Sequence, residues 1–246
     1  MTAHVHSDTS LLHQHAERLG LRLTGGQLTQ FSEYTRLLAE GNRRANLTAI
    51  TDSSEVQIRH HLDSLTAVLA YPEWRDGLRV VDLGAGAGFP GVPLKIAFPG
   101  IRLALVESVG KKTAFLRDLV ERLGLPDIEV LTTRAEELAR VEGYRGQFDV
   151  ALARGVGAMP VLIEYALPLC KGHGRLLAWK GKDGPAEAEA STNALSQLGG
   201  KIVGMHSVNA LSPPLPPDRW LVCVEKIRRT PGRYPRRVGV PAKQPL

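Results

Sequence analysis

Val80-Val81-Asp82-Leu83-Gly84-Ala85-Gly86-Ala87-Gly88-Phe89-Pro90-Gly91 is the stretch that decides the fold. A short apolar run over 78–83 carries an acid near its end and breaks into glycines. Such a run, bounded by a turn, reads as a buried strand. The glycines let the backbone reverse sharply and approach a ligand with no Cβ in the way. In an open α/β sheet the carboxyl ends of the strands are where ligands bind.

The same alternation continues downstream. A second apolar run, 102–106, ends at Glu107. Phe115, Leu116, Leu119 and Leu123 then recur on one side of a helical pattern. Further strands are predicted at 128–131, 148–152 and 175–179, separated by helical stretches. This βαβ alternation predicts a mostly parallel sheet with helices on both faces. The runs 201–208 and 220–226 have no helix between them. Ser212-Pro213-Pro214-Leu215-Pro216-Pro217 joins them, and prolines do not sit in a central strand. It is read as a connector rather than a PxxP ligand, and the two strands as an antiparallel hairpin. Upstream, Leu28, Phe31, Leu38 and Ile58, Leu62, Leu65, Leu69 fall at helical spacings, with Ser53 or Ser54 as N-cap of the second helix. Arg59 and Asp63, four apart on that helix, are within reach of one another as a pair. The expected organisation is an N-terminal helical extension (1–77), an α/β domain (78–227) and a basic C-terminal tail (228–246).

Charge separates the tail from the rest. Of 31 Lys+Arg and 25 Asp+Glu, residues 1–210 hold 23 of each, so the whole surplus of +6 lies after them. From Lys226 onward come seven basic residues and no acidic one. A polyanion partner and a frayed terminus are both compatible with that. No run approaches the roughly 18 apolar residues of a membrane span. The start of the chain is polar and His-rich, unlike a secretory signal. Cys170 and Cys223 show no partner pattern, so a reducing cytoplasm is expected. His4, His6, His13 and His15 lack a Cys or carboxylate framework, and no metal is expected.

Two ligand classes suit the glycine turn. Gly86-x-Gly88-x-x-Gly91 fits a dinucleotide fingerprint, whose pyrophosphate rests on a helix N-terminus. Asp82 would repel a pyrophosphate and attract a cationic amino group. S-adenosylmethionine (SAM) carries an ammonium and a sulfonium and no phosphate. Glu107, ending the next strand, suits ribose hydroxyls in either class. Acid, glycine turn and second acid together favour SAM.

Beyond the turn the sequence resembles the ribosomal RNA small subunit methyltransferase G family, also called glucose-inhibited division protein B. The resemblance is carried by Asn46-Leu47-Thr48, Arg59-His60-His61-Leu62-Asp63-Ser64-Leu65, residues 82–93, Glu107-Ser108-Val109-Gly110-Lys111-Lys112, Arg134-Ala135-Glu136-Glu137, residues 148–154, Trp179-Lys180-Gly181 and Thr230-Pro231-Gly232-Arg233-Tyr234-Pro235-Arg236. It implies a Rossmann-like, SAM-dependent methyltransferase with a seven-stranded sheet. The implied reaction is methylation of N7 of one guanine in a conserved loop of 16S ribosomal RNA. The implied partner is that RNA or the small ribosomal subunit, met by a monomer. Implied cofactor contacts are Gly84, Phe89, Ala135, Glu136 and Arg154, beside Asp82, Gly86 and Gly88 from the turn itself and Glu107 from the end of the next strand. Phe89 is read either as a cofactor contact or as a core aromatic. Glu136 by itself reads as a solvated helix-start carboxylate.

Guanine N7 has an in-plane lone pair and needs no general base, so positioning is expected to dominate. Arg154, Lys180 and His60 are the positioning candidates. Arg154 is expected to hold a cofactor carboxylate or an RNA phosphate. Cys170 is expected near a helix end as a buried structural thiol. Lys111, Lys112, Arg134, Lys182, Arg228, Arg229, Arg233, Arg236 and Arg237 are candidate RNA contacts.

Overall fold

The computed structural model describes residues 8–208, 215 and 218–246. His4, His6 and all of the proline-rich connector except Leu215 lie outside the described residues. The chain opens with helices α1 (Ser10–Arg18) and α2 (Gly25–Ala45). α3 (Ser53–Val56) runs into a π-helical stretch, Gln57–Leu62, then α4 (Asp63–Leu65) and α5 (Ala67–Ala70). The α/β part follows as β1 (Arg79–Leu83), α6 (Gly91–Ala97), β2 (Arg102–Glu107), α7 (Gly110–Arg122), β3 (Ile128–Thr132), α8 (Ala135–Leu138), β4 (Phe148–Arg154) and α9 (Met159–Ala166). It ends with β5 (Cys170–Lys180), α10 (Gly184–Ala190), α11 (Thr192–Leu198), β6 (Gly200–Ser207), β7 (Trp220–Lys226) and α12 (Val240–Lys243).

The strands form one sheet in the order β3-β2-β1-β4-β5-β7-β6, parallel up to β5 and antiparallel over β7 and β6. Parallel strands are buried on both faces, and successive side chains alternate between them. Val80, Leu105 and Leu152 join the core layer shared with α1, α2, α6 and α7. Val81, Val106 and Ala151 join the opposite layer, shared with α9 and α11. Each such branched side chain taken from water contributes about 1.5–3 kcal/mol. Phe31, Tyr34, Leu37 and Leu38 of α2 lie in the first layer, so the helical extension shares the sheet's core.

Local chemistry sets the helix starts. The Thr24 hydroxyl accepts from Gln27 N and Gln27 Oε1 accepts from Thr24 N, a capping box. Gln27 Nε2 also donates to the carbonyls of Ile96 and Ala97, which ties α2 to the end of α6. The N-cap expected at Ser53 or Ser54 is instead Asp52, whose carboxylate accepts from Ser54 N and Glu55 N at 3.0 Å each. A carboxylate adds charge to the capping bond at a helix N-terminus. Cys170, expected near a helix end, is the first residue of β5; it is fully buried, and burial pushes its thiol up to about 12.

Candidate functional site: a cleft at the carboxyl ends of β1, β2 and β3

The glycine turn hangs from β2. Gly84 N and Ala85 N donate to the Val106 carbonyl at 2.8 and 3.0 Å. Gly84 has φ +69°, and a Cβ there would stand 2.7 Å from Val156 Cγ2. Gly88 has φ +103°, and a Cβ there would meet the Tyr34 hydroxyl at 2.7 Å. That hydroxyl donates to the Ala87 carbonyl at 2.7 Å, so α2 braces the turn from below.

Asp82 lies beneath the turn and is fully buried. Its Oδ2 accepts from Gly91 N at 2.8 Å, at the start of α6, and its Oδ1 has no partner among the described residues. Burial raises this carboxyl to about 7, against the lowering effects of the Gly91 bond and the Arg154 charge. A pyrophosphate on the α6 N-terminus would meet this carboxylate already bonded there. The turn therefore disfavours a dinucleotide and keeps a spare buried acceptor, which fits a cationic ligand group.

Glu107 closes the ring around the turn. Its Oε2 accepts from Gly86 N at 3.1 Å and its Oε1 from Val109 N at 2.9 Å. Each oxygen keeps a second lone pair, so bonds to the protein leave capacity for hydroxyls. A cleft of about 210 Å³ is lined by Gly84, Glu107, Ala135 and Glu136 together, with Tyr165 and Ala242. Four residues expected at a cofactor thus share one cavity. Glu136 is not a solvated carboxylate: it is buried and accepts from Gly239 N at 3.0 Å.

A second cluster adjoins the turn. The Phe89 ring stacks with Tyr34 at 5.0 Å and with His60 at 4.5 Å, and Arg154 Cζ lies 5.2 Å from its centroid. Phe89 thus packs at the junction of helices and sheet, beside the glycine turn. His60 points to this junction. His60 Nδ1 lies 3.0 Å from Arg154 Nη2 and 3.1 Å from the Arg59 carbonyl, and Nε2 lies 2.8 Å from Thr48 Oγ1, so both ring nitrogens are engaged by the protein. Burial and the Arg154 charge lower His60 to about 4, and burial lowers His61 to about 3. Both rings are neutral at pH 7.

Arg154 is held by the protein itself. Its Nη1 donates to Asp63 Oδ2 at 2.7 Å and to the Arg59 carbonyl at 3.0 Å. Arg219 Nε lies 3.0 Å from Asp63 Oδ1. The Arg59–Asp63 pair that the spacing allows does not form; Arg59 pairs with Glu55, and fully buried Asp63 sits between Arg154 and Arg219. Asp63 faces the interior, where two arginines from distant elements reach it, while Arg59 stays at the surface beside Glu55.

The basic residues divide into two groups. Lys111, Arg134 and Lys182 are exposed at the strand ends, and Lys112 is half-buried. Lys180 is spent on Glu187 at 2.6 Å and on the Gly157 carbonyl. In the tail, Arg229, Arg233 and Arg237 are exposed, with Arg233 over the Tyr234 ring. Arg228 is exposed and donates to the Ser196 carbonyl. Arg236, expected at RNA, instead grips fully buried Glu164 through Nε and Nη2, because that carboxylate has to be paired. The sequence reading missed Tyr34, Thr48, Asp63, Glu164, Tyr165 and Ala242 as parts of these clusters. Only Thr48 and Asp63 carried a signal, as members of segments singled out for resemblance.

Among the described residues no three His, Cys, Asp or Glu come together as metal ligands, and no helix is long and apolar enough to cross a membrane. Among solved structures, the fold is similar to a SAM-dependent methyltransferase from Aquifex aeolicus (TM-score 0.51, 16% identity, 71% of this chain and 94% of that one). It is also similar to MtNAS (TM-score 0.54, 18% identity, 90% of each chain). Relatives called ribosomal RNA small subunit methyltransferase G include those of Roseiflexus sp. strain RS-1 (47% identity, 94% of this chain and 97% of the relative) and Limosilactobacillus fermentum (44%, 92% and 94%). Residues 27–214 match the family described as rRNA small subunit methyltransferase G. With the sheet order, the braced glycine turn and these relatives in agreement, the chain belongs to the rRNA small subunit methyltransferase G family, SAM-dependent methyltransferases.

Proposed function

We propose that this rRNA methyltransferase moves the methyl group of SAM to N7 of a guanine in 16S rRNA, in the cytoplasm. The observation that carries the reading is the shared cleft of Gly84, Glu107, Ala135 and Glu136 at the carboxyl ends of β1, β2 and β3. Gly84 offers exposed backbone for close approach. Glu107 keeps lone pairs for ribose hydroxyls, and Asp82, whose Oδ1 has no partner among the described residues, lies beneath the turn. SAM supplies an electrophilic methyl on a sulfonium.

The chain's residues then have little acid–base work to do. Guanine N7 attacks without losing a proton, and His60 is neutral with both ring nitrogens within hydrogen-bond reach of protein groups. An exocyclic amine target would need a proton acceptor that this cluster does not offer. Catalysis falls to orientation and water exclusion, through Phe89, His60 and Arg154 locked together beside the turn. Lys111, Arg134 and Lys182 are exposed, which supports a role in neutralising RNA phosphates. A loop base is the accessible target, since duplex RNA grooves hide base edges.

The test is transfer of labelled methyl from SAM to small subunits lacking the modification, followed by mapping of the labelled nucleotide. A single guanine N7 is expected. Label on protein, or at another base position, overturns the reading.

A further inference from the structure

We infer that residues 239–246 form the adenine-end wall of the cofactor cleft and limit what the adenine ring can carry. This rests on the cofactor placement proposed above.

Ala242 of α12 lines the same cleft as Gly84, Glu107 and Ala135. Along the sheet, β1 supplies the turn, β2 the ribose-facing Glu107, and the turn after β3 the stretch Thr133–Arg134–Ala135 that also lines the cleft. The order of strands puts the adenine at that third position, and Ala242 is there. The wall is held in place at several points. Gly239 N donates to Glu136 Oε1 at 3.0 Å. Pro241 is buried, and Leu246 packs against the core layer that contains Val81 and Val106. Upstream, Arg236 is clamped on Glu164, Thr230 Oγ1 donates to the Leu198 carbonyl, and Arg145 donates to the Tyr234 carbonyl at 2.8 Å. A terminus fixed this way is part of the cavity rather than a loose appendage. Its contribution at the cleft is Ala242, whose methyl borders the cavity of about 210 Å³ beside Thr133–Arg134–Ala135, so the C-terminal segment bounds the space on that side of the ring.

The test compares binding of S-adenosylhomocysteine and its N6-benzyl analogue by calorimetry. Three proteins are used: the full chain, a chain ending at Val238, and the full chain with Ala242→Trp. Ala242 is exposed, so the bulky variant keeps the fold, which circular dichroism and Tm verify. The full chain is expected to prefer S-adenosylhomocysteine. Truncation is expected to weaken it about tenfold and to narrow its preference over the N6-benzyl analogue. Ala242→Trp is expected to weaken it at least about tenfold, equivalent to about 1.4 kcal/mol. Binding and preference unchanged in both variants overturn the wall. Glu107→Ala in parallel separates the two ideas: binding that ignores Glu107 overturns the cofactor placement and the wall with it. Binding that responds to Glu107 but ignores both tail variants overturns the wall alone.

Discussion

Asp82 shows how one residue can serve two ends that oppose each other. Its Oδ2 starts α6 by accepting from Gly91 N, while its buried, unpartnered Oδ1 makes ionisation costly. A carboxyl raised to about 7 in the folded protein holds its proton more tightly there than in the unfolded chain. Its contribution therefore falls as pH rises from about 4 to about 7 and is flat above. His60 and His61, lowered to about 4 and about 3, contribute in the opposite sense: their stability is lost as pH falls from about 6.5. The two effects overlap in the wild type, so a variant is needed to separate them. Asp82→Asn retains an acceptor for Gly91 N and removes the charge. It is expected to raise the urea unfolding free energy at pH 8 by about 2–4 kcal/mol, with the gain vanishing near pH 4. SAM affinity is expected to drop about tenfold and to lose its rise through pH 7. A variant that binds SAM as tightly as wild type at pH 8 removes Asp82 from the cofactor site.

At the scale of elements, the π-helical stretch Gln57–Leu62 joins the helical extension to the sheet. It delivers His60 to Phe89, His61 to Thr35, and Asp63 to Arg154 and Arg219. Trp179 of β5 adds a bond from Nε1 to the Asp63 carbonyl at 2.8 Å. Asp63→Ala leaves two arginines around a buried gap. It is expected to cost about 3–5 kcal/mol and to slow single-turnover methyl transfer at least tenfold, because Arg154 loses its anchor. Asp63→Asn, which keeps the shape, separates folding from catalysis. Wild-type turnover in Asp63→Asn would show that Arg154 needs no charged partner.

For the whole molecule, the basic surplus after residue 210 is structural as well as electrostatic. Tyr234 and Thr230 are buried, and Arg236 neutralises Glu164 inside the fold. Removing residues 228–246 would strip these contacts and strand a buried carboxylate, so that truncation mixes stability with RNA affinity. Arg229→Glu, Arg233→Glu and Arg237→Glu together change only exposed positions. The triple variant is expected to keep Tm within a few degrees, bind rRNA at least tenfold more weakly and show a shallower salt dependence. Unchanged rRNA affinity would assign the tail to folding alone.

The sheet was legible because its signal is local. Apolar runs of strand length, separated by helical stretches, predict parallel strands, and the observed boundaries differ from the runs mostly by one or two residues. β5 is the exception: it begins five residues earlier than the run suggests, across Gly172 and Gly174, which carry no strand signal. The glycine turn and the residues of its cleft, Gly84, Glu107, Ala135 and Glu136, were likewise readable from spacing and resemblance. What each charged group bonds to was not. Arg236 and Arg237 are neighbours of one type, yet one is clamped on Glu164 and the other is exposed. Partners tens of residues apart are chosen by packing, where an uncompensated buried charge costs more than a surface pair gains. The sequence by itself determined the mostly parallel sheet with its C-terminal hairpin, the glycine turn and the family. Only the tertiary structure decided which charges are exposed and which are paired inside the fold, because burial depends on what the whole chain brings alongside each group.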